Sequence, residues 1–182
     1  MTDSIKNLSK FLSFVLRHKP AAAGIALDPG GWADIDALIG NSGGRLTRPQ
    51  LDQIVAENNK QRFAISHNGK RIRANQGHSI PVDLGLEPLA PPETLYHGTA
   101  QTSVESIMAT GLQPRTRQHV HLSGDLQTAR AVGGRHGKPV VLALPARVMH
   151  DTGHVCYRSE NGVWLTDHVP PARLVRANQR TT

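Results

Sequence analysis

Over the first twenty residues the apolar positions recur at helical spacing: Ile5, Leu8, Leu12 and Val15, with Phe11 and Leu16 widening the face. That periodicity predicts a helix, which Pro20 stops just past Arg17, His18 and Lys19. Asp34 is placed to cap a short second helix running through Leu38 and Ile39. Thr47 is placed to cap a third, with Pro49 in its first turn and Leu51, Ile54 and Val55 on its inner face. The period then changes. Short strands are expected near 62–65 and 71–74, joined by His67-Asn68-Gly69-Lys70, in which Asn-Gly is a strong hairpin signal. Three helices followed by a hairpin is a winged-helix pattern.

The stretch 83–94 holds three prolines and little periodicity, and reads as a linker. It divides the chain into lobes at 1–82 and 95–182. The second lobe reads mainly as strands. One covers 95–97 and runs into Gly98-Thr99; others are expected at 119–123, 139–144 and 174–175, with a hairpin made by 155–157 and 163–166 around Asn161-Gly162. Helices are expected over 103–110, ending at Gly111, and near 126–132. The whole is an α+β chain: a winged-helix lobe, then a mixed, mainly antiparallel β lobe.

Composition narrows the partners. Lys+Arg number 21 against 14 Asp+Glu, a formal charge of +7 on 182 residues, which favours a polyanion such as nucleic acid over the plainer reading of a soluble basic protein. The single cysteine, Cys156, allows no internal disulfide; it reads as a buried strand residue of a cytoplasmic protein. Lys6 and Lys10 interrupt the N-terminal apolar stripe, so it does not read as a signal peptide, and no stretch has transmembrane length. No membrane partner is expected, and the small lobes and charge suit a monomer.

Candidate chemistry centres on Arg17-His18. Arg62 and Arg117 stand in segments that look built to meet that pair, and three fixed cations with one titratable imidazole suit a phosphate dianion. Each has a plainer alternative. Cations at a helix C-terminus also answer the macrodipole, and Lys60-Gln61-Arg62 is otherwise an ordinary basic turn. Arg71 and Arg73 share a face of the hairpin strand, open either to a nucleic-acid backbone or simply to solvent. The third helix carries Asp52 and Glu57 with only Arg48 as a cation, which argues against a duplex-reading recognition helix. His97-Gly98-Thr99 ends a strand with a ribose-orienting imidazole, a glycine that lets a ligand approach the backbone, and a hydroxyl. His119 and His121 share a strand face, but no third ligand has metal spacing, so no metal is expected. Gly133-Gly134-Arg135-His136-Gly137-Lys138 is phosphate-friendly without being a Walker loop, because Pro139 stands where Ser or Thr would.

The blocks LSKFLSFVLRHKP, GWADIDALI, KQRF, IRANQGHS, LYHGT, HVHLS, VGGRHGKPVVL and ENGVWLT occur in this order between about Leu8 and Thr166. Together they resemble the RNA 2′-phosphotransferases. The resemblance implies a winged-helix, RNA-binding lobe and an ADP-ribosyltransferase-like lobe that binds NAD. It implies NAD-dependent removal of an internal, splice-junction 2′-phosphate in two steps, through an RNA-2′-phospho-ADP-ribose. The products are 2′-hydroxyl RNA, nicotinamide and ADP-ribose 1″,2″-cyclic phosphate. By motif the catalytic residues fall on Arg17, His18, Arg62 and Arg117, with His18 either protonating the departing 2′-oxygen or orienting the phosphate. NAD falls to His97, Gly98, Thr99, His121 and Ser123, with His119 the alternative to His121 and with Gly133 and Arg135 as weaker candidates. Gln76, His78 and Ser79 take a cleft position. Glu160 lies near the strand on which protein-modifying relatives carry a glutamate.

Overall fold

In the computed structural model, which describes residues 4–58, 60–135 and 137–177, the chain divides into two units, Met1–Gly85 and Leu86–Thr182. In the first, Ser4 caps helix α1 (Ile5–Arg17), whose Leu8, Leu12, Val15 and Leu16 are fully buried. A two-residue strand β1 (Ala33–Asp34) leads into α2 (Ile35–Gly40), where the Asp34 carboxylate accepts the Ala37 N–H at 2.8 Å. Thr47 and Gln50 form a reciprocal capping box at the start of α3 (Arg48–Ala56). Strands β2 (Phe63–Ile65) and β3 (Arg71–Ala74) form the expected hairpin, and β1 adds to its far edge in the order β1-β3-β2. Along β3, Ile72 and Ala74 are buried while Arg71 and Arg73 face outward, so one core joins Leu12, Leu16, Ile35, Leu51, Phe63 and Ile72. Strand β1 has no sequence signal of its own. At two residues it is too short for alternation to register.

The second unit has nine strands and α-helices among the described residues: β4 (Leu95–Ala100), α4 (Val104–Thr110), β5 (Val120–Leu122), α5 (Leu126–Gly133), β6 (Pro139–Leu144), α6 (Ala146–Asp151), β7 (Cys156–Arg158), β8 (Trp164–Thr166) and β9 (Val175–Arg176). All pairing is antiparallel, in two three-stranded sheets ordered β4-β6-β9 and β5-β8-β7. A bridge between Tyr96 and Ser123, with backbone bonds of 3.0 and 2.8 Å, joins β4 to the end of β5. Leu95, Leu122, Leu142, Leu144 and Trp164 close the core. Part of the stretch read as a linker is tied to this unit: the Leu89 N–H donates to the Cys156 carbonyl at 2.8 Å. Helix α6 is an addition to the expected elements. It follows Pro145 without a side-chain cap and spans only six residues.

Two of the expected site glycines also have a packing role. Gly98 stands on β4 as a point where a ligand can reach the backbone, but what fills the space beside it is α5. A Cβ on Gly98 would lie 1.6 Å from the Ala129 carbonyl oxygen. A Cβ on Gly133 would lie 2.8 Å from both the nitrogen and the oxygen of Thr99. The two glycines let α5 lie directly on β4.

Candidate functional site

The candidate residues fall into two sets, one in each unit. In the first unit α1 ends at Arg17, and His18 serves as its C-cap, its N–H donating to Phe14 O at 3.0 Å. The segment after β3 folds back onto this helix end. The Ser79 N–H donates to the Arg17 carbonyl at 2.9 Å, satisfying an acceptor that a helix terminus would otherwise leave open, and the Ser79 hydroxyl lies 2.9 Å from His18 Nδ1. Gly77, in the left-handed region at φ +88°, lies under the Arg17 side chain; a Cβ there would be 3.5 Å from Nη1. The left-handed φ, which glycine adopts without strain, turns the chain beneath the guanidinium. Between them sits His78, 1% exposed. Among the described residues neither of its ring nitrogens has a hydrogen-bond partner. Burial first, then the charges of Arg17, His18 and Arg73, lower its pKa to about 4, so the ring is neutral at ordinary pH. The sequence motif Gln76-Gly77-His78-Ser79 is thereby the strap that fixes the Arg-His pair.

Arg62 is held from its other side. Its Nη1 donates to Asn58 Oδ1 at 3.0 Å, and the same oxygen accepts the Lys60 N–H at 3.1 Å. The residue before it, Gln61, has a φ of +41°, unusual for a side-chain-bearing residue. Two bonds hold it there: the Gln61 N–H donates to Asn58 O at 2.7 Å, and Asn75 Nδ2 donates to Gln61 O at 2.7 Å. The Asn75 N–H completes the clamp on the Arg62 carbonyl at 2.9 Å. His18 and Arg62 both line a groove of about 670 Å³ that runs along the exposed side of α1. Asn58 and Asn75 escaped the sequence reading. Their only signal is an asparagine beside a candidate arginine or inside the IRANQGHS block, and local pattern assigns neither a role.

The outward arginines of β3 do not open onto solvent alone. Arg71 donates to Asp28 at 2.8 Å, and both guanidiniums lie over the Trp32 ring, Arg71 at 5.7 Å and Arg73 at 4.6 Å from its centroid.

In the second unit the Tyr96–Ser123 bridge brings β4 beside β5 and sets His97 against His121. The His97 Nδ1–H donates to the His121 carbonyl at 3.0 Å, which leaves Nε2 as the acceptor nitrogen. Burial lowers the His97 pKa, opposed by that hydrogen bond and aided by the Arg115 charge, and so favours the neutral ring. Arg117 Nη1 donates to His121 Nδ1 at 3.3 Å, which puts the proton of a neutral His121 on Nε2. Arg117 follows a turn in which its N–H bonds to Pro114 O at 3.1 Å and Arg115 takes a left-handed φ of +56°. Desolvation and the charge of Arg135 lower the pKa of Arg117, although it remains a cation. Four candidates thus gather here: His97, Arg117, His121 and, through the bridge, Ser123. Thr99 is buried on the same strand. His119 stands apart from this cluster, 3.9 Å from Asp167 and edge-on to Tyr157. Glu160 is exposed at the β7–β8 turn. His136 of the glycine-rich block lies outside the described residues.

Comparison with known proteins agrees in extent with these two sets. The profile of the RNA 2′-phosphotransferase, Tpt1 / KptA family matches residues 3–168. A protein of Nostoc punctiforme named "Probable RNA 2'-phosphotransferase" is 53% identical over 178 residues, covering 96% of this chain and 98% of its own length. Proteins of the same name from Acaryochloris marina (54% over 178 residues, 96% of this chain and 98% of theirs) and Hahella chejuensis (51% over 177 residues, 96% and 95%) are similar throughout. A match that spans both units, at half identity over nearly full length, shows that the chain belongs to the RNA 2′-phosphotransferase, Tpt1 / KptA family.

Proposed function

We propose that this protein is an NAD-dependent RNA 2′-phosphotransferase that removes an internal, splice-junction 2′-phosphate in two steps. Its first unit serves as a winged-helix, RNA-binding lobe and its second as an ADP-ribosyltransferase-like, NAD-binding lobe. The family match over residues 3–168 carries the reading.

The donor set suits the co-substrate: His97 and His121 offer ring nitrogens whose tautomers the fold fixes, the second through Arg117. Bound NAD would supply a ribose C1″ that exchanges nicotinamide for phosphate, and an O2″ that closes the 1″,2″-cyclic phosphate. The chain's residues supply the rest. Arg17 and Arg62 grip the 2′-phosphate by planar, permanently charged forks, and Arg117 offsets negative charge as it grows on the phosphate oxygens. His18, held by Ser79, delivers a proton to the departing RNA 2′-oxygen or orients the phosphate. The nucleophile is already an anion, so positioning matters more than a general base. Exposed Glu160 is not required on this scheme.

The test is incubation with NAD and a short RNA bearing one internal 2′-phosphate, read by mass spectrometry. Loss of one phosphate, with nicotinamide and ADP-ribose cyclic phosphate formed in step, is expected. Each of Arg17→Ala, His18→Ala, Arg62→Ala and Arg117→Ala should reduce turnover by at least about 100-fold while preserving the far-UV spectrum. RNA that gains ADP-ribose and keeps it would redirect the reading to a phosphate-directed ADP-ribosyltransferase. Full activity in any variant would remove that residue from the scheme.

A further inference from the structure

On α1, Lys6, Lys10, Phe14 and His18 recur every fourth residue and line one wall of the 670 Å³ groove. The row spans about 18 Å of helix. Arg62 and Lys60 lie on the opposite wall, and Glu57 is the one carboxylate among the lining residues. Glu57 already accepts Gln53 Nε2 through both oxygens, at 3.1 and 3.2 Å. Ser9 and Ser13 add hydroxyls between the lysines. Phe14 is 45% exposed, the one large hydrophobic side chain so exposed among the described residues of this unit. Two other cationic surfaces of this unit are engaged within it. On α3, Arg48 is paired with Asp52 at 3.0 Å, and on β3 Arg71 is paired with Asp28 while Arg71 and Arg73 lie over Trp32.

We propose that this groove is the track for single-stranded RNA flanking the 2′-phosphate, with Lys6 and Lys10 on successive backbone phosphates and Phe14 stacked against a base. It rests on the function proposed above, and extends it from the reacting phosphate to the strand that carries it. Cations spaced along a groove and one exposed aromatic ring are the combination that holds a single strand without reading its sequence. The groove ends at His18 and Arg62, so a strand lying in it leads to the residues assigned to the phosphate. A duplex would instead require unpaired cations on α3 or on the wing strand.

The measurement is fluorescence anisotropy of the full-length protein with a labelled single-stranded RNA of about twelve nucleotides carrying one internal 2′-phosphate, without NAD, across a salt series. In Lys6→Ala/Lys10→Ala the slope of log K against log salt should become shallower by about 1.4, since each single-strand phosphate contact contributes about 0.7. Phe14→Ala should weaken binding about tenfold and leave the slope unchanged. All three side chains are exposed, so matching thermal melts are expected. Lys70→Ala, at the hairpin tip, tests the wing. A loss of slope there, with none in the α1 variants, would overturn the groove assignment. Unchanged affinity and slope in the α1 variants would also overturn it and leave the groove to a protein partner. If wild-type protein binds RNA through the groove but never removes its phosphate, the catalytic reading fails and the groove stands.

Discussion

At His78 a neutral imidazole is enclosed among Arg17, His18 and Arg73, and its pKa of about 4 lies below the ordinary 6.5. Between those values the unfolded chain binds more protons than the folded one, so stability rises with pH through that window. It is fully present above 6.5 and is lost as pH falls toward 4. The contribution is on the order of 3 kcal/mol. Urea midpoints at pH 7 and pH 4.5 should therefore differ more in wild type than in His78→Gln; an equal difference in both would place the effect on other groups. Sequence placed Arg17 and His18 correctly at a helix end, because periodicity and Pro20 are local signals. It could not show what holds Arg62. The left-handed backbone of Gln61 is held by a local bond to Asn58 and by a second from Asn75, a residue fourteen positions away, and no window of local pattern contains that second partner.

Among the elements, those with chemical punctuation were legible. Asp34, Thr47 with Gln50, Gly111 and the two Asn-Gly turns each act within a few residues of themselves, and helices α2, α3 and α4 and both hairpins lie where those residues put them. Strand β1 and helix α6 lack such marks and were not anticipated. Gly98 was legible as a point of close approach, but its packing partner was not, since the backbone that meets it comes from α5. This yields a graded series. Gly98→Ala should destabilise by about 3 kcal/mol or more, because backbone stands 1.6 Å from the new methyl, and Gly133→Ala by about 1–3 kcal/mol at 2.8 Å. Gly134→Ala, whose nearest neighbour would be at 3.5 Å, should change little. Differential scanning calorimetry of the three variants checks the order; equal melting temperatures for Gly98→Ala and Gly134→Ala would contradict the packing of α5 on β4.

For the molecule as a whole, two buried clusters share no member, one built from residues of the first unit and one from the second. Each unit also owns one of the two tryptophans, Trp32 in the first and Trp164 in the second. Trp164→Phe and Trp32→Phe therefore leave a single reporter in each unit. Guanidinium titration of Gly98→Ala in these two backgrounds should lower the Trp164 midpoint more than the Trp32 midpoint. Equal shifts would mean that the two cores unfold as one cooperative system. The charge of +7 was legible from composition alone, but not its distribution, which depends on which arginines meet carboxylates and rings of their own unit. Cys156 has a related consequence. Its thiol is buried on β7, and burial raises its pKa, against the opposing effect of a Thr166 hydrogen bond. The native surface is therefore silent toward maleimide dyes, so a cysteine introduced at any exposed position becomes a unique attachment point without removing the natural one.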